Sequence, residues 1–119
     1  MSSITIYHNP NCGTSRNVLA LLRELGAEPT VVEYLKTPPS GDEILSLVRR
    51  MGVGVRDVLR QKGTPYGELD LGHPQWSDDQ LLDFIAQYPV LLQRPIVVTP
   101  QAVRICRPPE TGLEMLPKV

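Results

Sequence analysis

Between Tyr7 and Arg16 the sequence reads Tyr-His-Asn-Pro-Asn-Cys-Gly-Thr-Ser-Arg, and this stretch holds the residues best suited to chemistry. Cys12 stands between a short apolar run, Ser3–Tyr7, and a helix-period pattern in Val18, Leu21, Leu22 and Leu25. That spacing predicts a strand, a turn carrying the thiol, and a helix opened by Gly13, Thr14 and Ser15. The first turn of a helix offers unbonded N–H groups and the positive end of the helix dipole, which stabilise an anion. Such surroundings lower a thiol's pKa and can also hold the oxygens of an oxyanion. His8 and Arg16 would add donors and positive charge. Each residue has a plainer reading too: Cys12 as a small buried hydrophobe, Ser15 as a helix cap, Arg16 as a solvated surface charge. The setting, between His8-Asn9-Pro10 and Gly13-Thr14-Ser15, favours a functional thiol.

The elements that must position this thiol can be read along the chain. Ser3–Tyr7 and Thr30–Tyr34 are predicted strands, joined by a helix over Thr14–Leu25 that Gly26 stops. Strand, helix and strand in succession predict a right-handed parallel crossover. Ser40-Gly-Asp-Glu43 has the form of a capping box ahead of the amphipathic run Ile44, Leu45, Leu47, Val48 and Met51. Val55–Gln61 reads as a second short helix, Gly63–Pro74 as turns. Ser77-Asp-Asp-Gln80 opens a third helix carrying Leu81, Leu82, Phe84 and Ile85, with Trp76 before it as core packing or a hydrophobic staple. Pro95–Thr99 and Val103–Cys106 then form a hairpin. A last short helix starts at Pro108-Pro109-Glu110 and ends near Leu116.

Composition narrows the function. The chain has 119 residues, a length suited to one domain with a single core. With 41% hydrophobic and 21% charged residues it has the make-up of an ordinary globular protein. A net charge of −1 supplies no general basic face for nucleic acid or an acidic membrane. An anionic substrate must be held by local arginines, and the basic residues are mostly arginine, whose planar fork suits oxyanions. No run is long enough to span a membrane, and no signal-peptide pattern opens the sequence. Two distant cysteines in such a chain suggest reduced thiols and a cytoplasmic location. His8, Cys12, His73 and Cys106 lack zinc-ligand spacing, so no metal site is expected; His73 reads as a surface turn residue.

His8-Asn9-Pro-x-Cys12-Gly13-Thr14-Ser15-Arg16-Asn17 resembles the active-site signature of the glutaredoxin-linked arsenate reductases, the ArsC-type members of the thioredoxin-like superfamily. The resemblance extends over nearly the whole chain. Tyr34-Leu35-x-Thr37-Pro38-Pro39, the Arg56-to-Arg60 segment, Arg94-Pro95-Ile96-Val97-Val98-Thr99-Pro100 and Cys106-Arg107-Pro108 are similar to family segments in the same order. Longer members carry a C-terminal extension beyond the position of Val119. The resemblance implies an α/β fold, a thioredoxin-like mixed sheet with an inserted helical block. It would be a single domain over residues 1–119 with the insertion around 40–88. It also implies a cis Arg94–Pro95 bond facing the reactive cysteine.

By that resemblance the activity is reduction of arsenate to arsenite through a thioarsenate on Cys12. Glutathione would be the co-substrate, glutaredoxin the partner, and no cofactor would be tightly bound. Arg60, Arg94 and Arg107 would bind the oxyanion and stabilise the transition state, and His8 would lower the pKa of Cys12. Gly13, Thr14, Ser15, Arg16 and Pro95 would line the substrate site. Read alone, Arg60 is equally a helix-end charge and Arg107 a cap for the last helix.

Neighbouring chemistries fit less well. Ser15 occupies the place where a Cys-x-x-Cys dithiol would have its second thiol, so Cys12 must be resolved by Cys106 or by an external thiol. Cysteine phosphatases place an arginine six residues after the cysteine, where this sequence has Val18. Cys12-Gly13-Thr14-Ser15 is similar to the Cys-Gly-Phe-Ser of monothiol glutaredoxins but lacks the aromatic residue, and a thiol transferase of that kind leaves the arginines unexplained. Redox regulators of the same superfamily that bind RNA polymerase usually carry a Cys-x-x-Cys switch, absent here.

Overall fold

The computed structural model describes residues 4–100 and 102–106. The chain falls into two compact units, Met1–Thr37 with Arg94–Val119, and Pro38–Gln93.

The first unit is built on four strands: β1 (Thr5–His8), β2 (Thr30–Glu33), β3 (Ile96–Val98) and β4 (Val103–Ile105). Their order in the sheet is β2-β1-β3-β4, with β1 parallel to β2 and the other pairs antiparallel. A parallel pair needs a long crossover, and helix α1 (Gly13–Glu24) provides it. Alternation along β1 turns Ile4, Ile6 and His8 to one face of the sheet. Ile4 and Ile6 there join Val18, Leu19 and Leu22 of α1, Val97 of β3, and Cys106 in one buried apolar cluster. The α/β class and the hairpin expected from the sequence are both present. The first strand is shifted by one residue at its end, running to His8 rather than Tyr7.

Helix α1 stops where Gly26 predicts. Gly26 has φ +87°, its N–H bonds the Arg23 carbonyl at 3.0 Å, and the Ala27 N–H bonds the Leu22 carbonyl at 3.0 Å. This paired closure satisfies carbonyls the last turn would otherwise leave open, and it favours glycine because of the left-handed backbone.

The second unit carries helices α2 (Gly41–Met51) and α3 (Asp78–Gln87). Ser40 caps α2 by accepting the Glu43 N–H at 3.1 Å. Ser77 caps α3 reciprocally: its Oγ accepts the Gln80 N–H at 3.2 Å, and Gln80 Oε1 accepts the Ser77 N–H at 2.9 Å. Ile44, Leu47 and Val48 of α2 and Leu81, Leu82 and Ile85 of α3 are buried. Trp76 meets Phe84 edge to face at 5.0 Å and donates its indole N–H to the Asp70 carbonyl at 2.8 Å. Its apolar contact thus lies along α3, while its polar edge ties down the turn segment.

The helix expected over Val55–Gln61 is a correction. Only Val55–Val58 turns, as a 3-10 helix, and Leu59 then extends to pair antiparallel with Leu92. The Arg60 N–H bonds the Leu91 carbonyl at 2.6 Å and the Gln93 N–H bonds the Val58 carbonyl at 2.8 Å. Non-local pairing, helped by the weak helix preference of β-branched Val55 and Val58, outweighs the local pattern. The last predicted helix and Arg107 lie outside the described residues. Among those described, no helix is long and apolar enough to cross a membrane.

Candidate active site

Cys12 is the N-cap of α1, in extended backbone with φ −100° and ψ 122°. It is a free thiol, 9% exposed. The turn that delivers it begins at the end of β1. The Cys12 N–H bonds the Asn9 carbonyl at 3.0 Å, closing a four-residue turn with Pro10 in second place, where its fixed φ suits the geometry. From this position Sγ faces the free N–H groups of the first helical turn. The thiolate is the form these groups favour.

The ionisation of Cys12 is set by opposing effects. Burial alone pushes the thiol up, but the Ser15 N–H, the charge and hydrogen bond of the Arg94 guanidinium, and the Thr14 N–H together outweigh it. The result lies below the 9.0 of an unperturbed thiol. Arg94 is 5% exposed, just ahead of β3. It is followed by Pro95 through a cis peptide bond, as expected. The buried Pro95 has its carbonyl bonded by the Cys106 N–H at 3.0 Å. A forked cation and two backbone N–H groups, of Thr14 and Ser15, therefore act on one sulfur.

His8 is held at Ser15. Its Nδ1 lies 2.6 Å from Ser15 Oγ, and both residues are buried. Burial, together with Arg23 and Arg16, holds the imidazole below 6.5 against the opposing pull of Glu33. His8 is therefore mostly neutral at neutral pH and brings little of the positive charge expected of it. What it contributes is a hydrogen bond to Ser15, whose own N–H stabilises the Cys12 thiolate. Ser15 is not the cap; its hydroxyl faces back toward the strand, taking the Asn9 N–H at 3.1 Å as well.

Arg16 is exposed and donates from Nη1 to the Pro10 carbonyl at 2.8 Å, bracing the turn from the helix side. Gly13 and Thr14 occupy the first helical positions beside it. Arg60 belongs to the other unit, where its carbonyl accepts the Thr64 hydroxyl at 2.8 Å; its assignment to the oxyanion comes from the motif resemblance. Cys106 is fully buried in the apolar cluster under α1, a cluster that does not include Cys12. His73 is an exposed turn residue, its Nδ1 accepting the Gln75 N–H at 3.0 Å.

Two residues have no role of their own in the sequence reading. Asn9 is 7% exposed and bonded three ways within the turn; the Asn-Pro pair was the available signal. Arg56 donates to the carbonyls of Leu71, Trp76 and His73 at 2.8, 3.1 and 2.9 Å, gathering the turn-rich segment around one guanidinium. No local signal announces that role.

The ArsC family model matches residues 7–115. An arsenate reductase of Escherichia coli is 56% identical over 117 residues, covering 98% of this chain and 83% of the relative. An arsenate reductase of Rhizobium meliloti is 54% identical over 115 residues, covering 97% and 82%. Among solved structures, an arsenate reductase from Vibrio cholerae superposes with a TM-score of 0.91 at 47% identity, covering 96% of this chain and 98% of that one.

Proposed function

The chain belongs to the ArsC family, and on that premise we propose that it reduces arsenate to arsenite with Cys12 as the nucleophile. The observation that carries the reading is the pairing of Cys12 with Arg94: one guanidinium acts on the sulfur by charge and hydrogen bond and favours its thiolate, and a forked donor of that kind suits an oxyanion bonded to the same sulfur. Arsenate is a tetrahedral oxyanion, and backbone N–H groups at a helix start suit its oxygens.

The thiolate sulfur attacks arsenic(V), and one protonated oxygen leaves as water. A glutathione thiol displaces a second oxygen as water, leaving arsenic(V) bonded to both sulfurs. A glutaredoxin thiolate then attacks the glutathione sulfur. The sulfur–arsenic electron pair stays on arsenic, which becomes arsenic(III), and a glutaredoxin–glutathione disulfide departs. Water replaces Cys12 on arsenic, releasing arsenite and restoring the thiol. External thiols are supported by Ser15 standing at the resolving position and by Cys106 being held in an apolar cluster. Reliance on reduced thiols fits the cytoplasm. Arg60 and Arg107 join the proposal by family resemblance.

The test is arsenate consumption with glutathione and glutaredoxin, omitting one component at a time. Turnover should require all of them. Undiminished multiple turnover without glutaredoxin would overturn the external-thiol scheme, and no consumption under any condition would overturn the arsenate reading.

A further inference from the structure

The turn ahead of Cys12 is held by one side chain to which nothing above assigns a part in the reaction. Asn9 Oδ1 accepts the Asn11 N–H at 2.9 Å, while the Asn9 carbonyl accepts the Cys12 N–H at 3.0 Å and the Asn9 N–H donates to Ser15 Oγ at 3.1 Å. Pro10 has no N–H, and its carbonyl takes Arg16. The N–H groups from Asn9 to Cys12 are thus bonded on the strand side and across the turn, and the Pro10 carbonyl on the helix side. We propose that Asn9 is a positioning residue for the nucleophile: its amide carbonyl fixes the turn that presents Cys12 Sγ to the first N–H groups of α1. The proposal rests on the reading of Cys12 as nucleophile and deepens it.

The physical reason is the sensitivity of the sulfur's surroundings to a small rotation. Cys12 keeps its extended N-cap backbone because the turn ends there, and the Oδ1 bond makes the turn an Asx turn closed a second time through the side chain. Without that acceptor the Asn11 N–H turns to water. The turn can then open, and the sulfur moves off the Ser15 and Thr14 N–H groups that favour its thiolate. A change at Asn9 removes none of the charged groups acting on the sulfur or on His8, namely Arg94, Glu33, Arg23 and Arg16; Arg16, bonded to the Pro10 carbonyl of the turn, is a charge on His8, whereas the charge acting on the sulfur is Arg94. A shift in the titration of Cys12 would therefore report position and not charge.

The experiment is alkylation of Cys12 by iodoacetamide as a function of pH, with the labelled peptide identified by mass spectrometry. Asn9→Ala should move the midpoint upward by about one unit, a tenfold loss of thiolate below it. Asn9→Ser, whose hydroxyl can accept the same N–H less well, should restore part of the shift. Asn9→Leu, close in shape and without an acceptor, gives the same upward shift and carries the test where alanine does not fold. A folded Asn9→Ala or Asn9→Leu with an unchanged midpoint, or an Asn9→Ser no better than alanine, overturns the proposal. Failure of both alanine and leucine variants to fold also overturns it, since Asn9 would then be a determinant of the fold. The titration contains no arsenate, so a wild type inactive on arsenate would sink the functional reading and leave this result standing.

Discussion

His8 Nδ1 lies 2.6 Å from Ser15 Oγ, and it is Ser15, through its backbone N–H, that acts on the Cys12 thiolate. The imidazole is two hydrogen bonds removed from the sulfur. Residues that act in series through one bond do not add their effects. His8→Ala and Ser15→Ala should each move the Cys12 midpoint upward, and the double variant should move it no further than the larger single shift. Alkylation against pH measures all three. Additive shifts would mean that His8 reaches the sulfur by another route.

The same histidine makes folding stability depend on pH with a definite sign. The folded protein holds His8 below 6.5, so the unfolded chain takes up the proton first as pH falls. The contribution of neutral His8 is complete above the unfolded value, about 6.5, and is lost as pH drops through the lower folded value. Urea unfolding of wild type and His8→Gln should therefore differ by a constant amount above neutral pH, and the gap should shrink toward acid. A gap that widens on acidification would contradict a buried neutral imidazole.

Arg94 separates charge from geometry. Arg94→Lys keeps a positive charge but gives up the fork that can serve sulfur and oxyanion together. Loss of a well-placed donor to a developing oxyanion typically costs about 10²–10³-fold, and kcat/KM should fall in that range. Arg104, exposed on β4 with its guanidinium donating to the adjacent Val103 carbonyl at 3.1 Å, is the control, and Arg104→Lys should be near wild type. Equal damage in the two variants would place the oxyanion elsewhere.

Arg56 makes a prediction about stability. One guanidinium serves three carbonyls of the segment from Leu71 to Trp76. Hydrogen bonds from a charged donor are worth roughly 1.5–3 kcal/mol when buried and less when exposed, so Arg56→Ala should cost about 1–3 kcal/mol in urea unfolding. Arg56→Lys should recover only a fraction, because an ammonium cannot span the three acceptors. A lysine variant as stable as wild type would show that charge alone holds the segment.

What the sequence disclosed depended on how local the determinant is. Gly26 and Ser77 announce helix boundaries because their partners lie within a few residues, and both form the predicted hydrogen bonds. Cys12 was legible as a helix-start thiol because strand, turn and helix periods adjoin. Arg94 beside Cys12 was reachable only through the motif resemblance, since more than eighty residues separate them. The extended Leu59 was misread as helix because its partner, Leu92, is remote in the chain. A cap was the plainer alternative for Ser15, because a hydroxyl near a helix start usually is one; here Cys12 holds that place and the hydroxyl turns back to His8.

The central claim is that Cys12 attacks arsenic and that external thiols complete the reduction. Arsenate consumption by Cys12→Ser and Cys106→Ser, with glutathione and glutaredoxin present, tests it most directly. A serine hydroxyl is far less nucleophilic at neutral pH, so Cys12→Ser should have no measurable turnover. Cys106→Ser should keep most of kcat/KM while melting at a lower temperature, since its hydroxyl would sit in an apolar cluster at a cost of about 1–3 kcal/mol. Equal loss of activity in both folded variants, or turnover surviving in Cys12→Ser, would contradict the account.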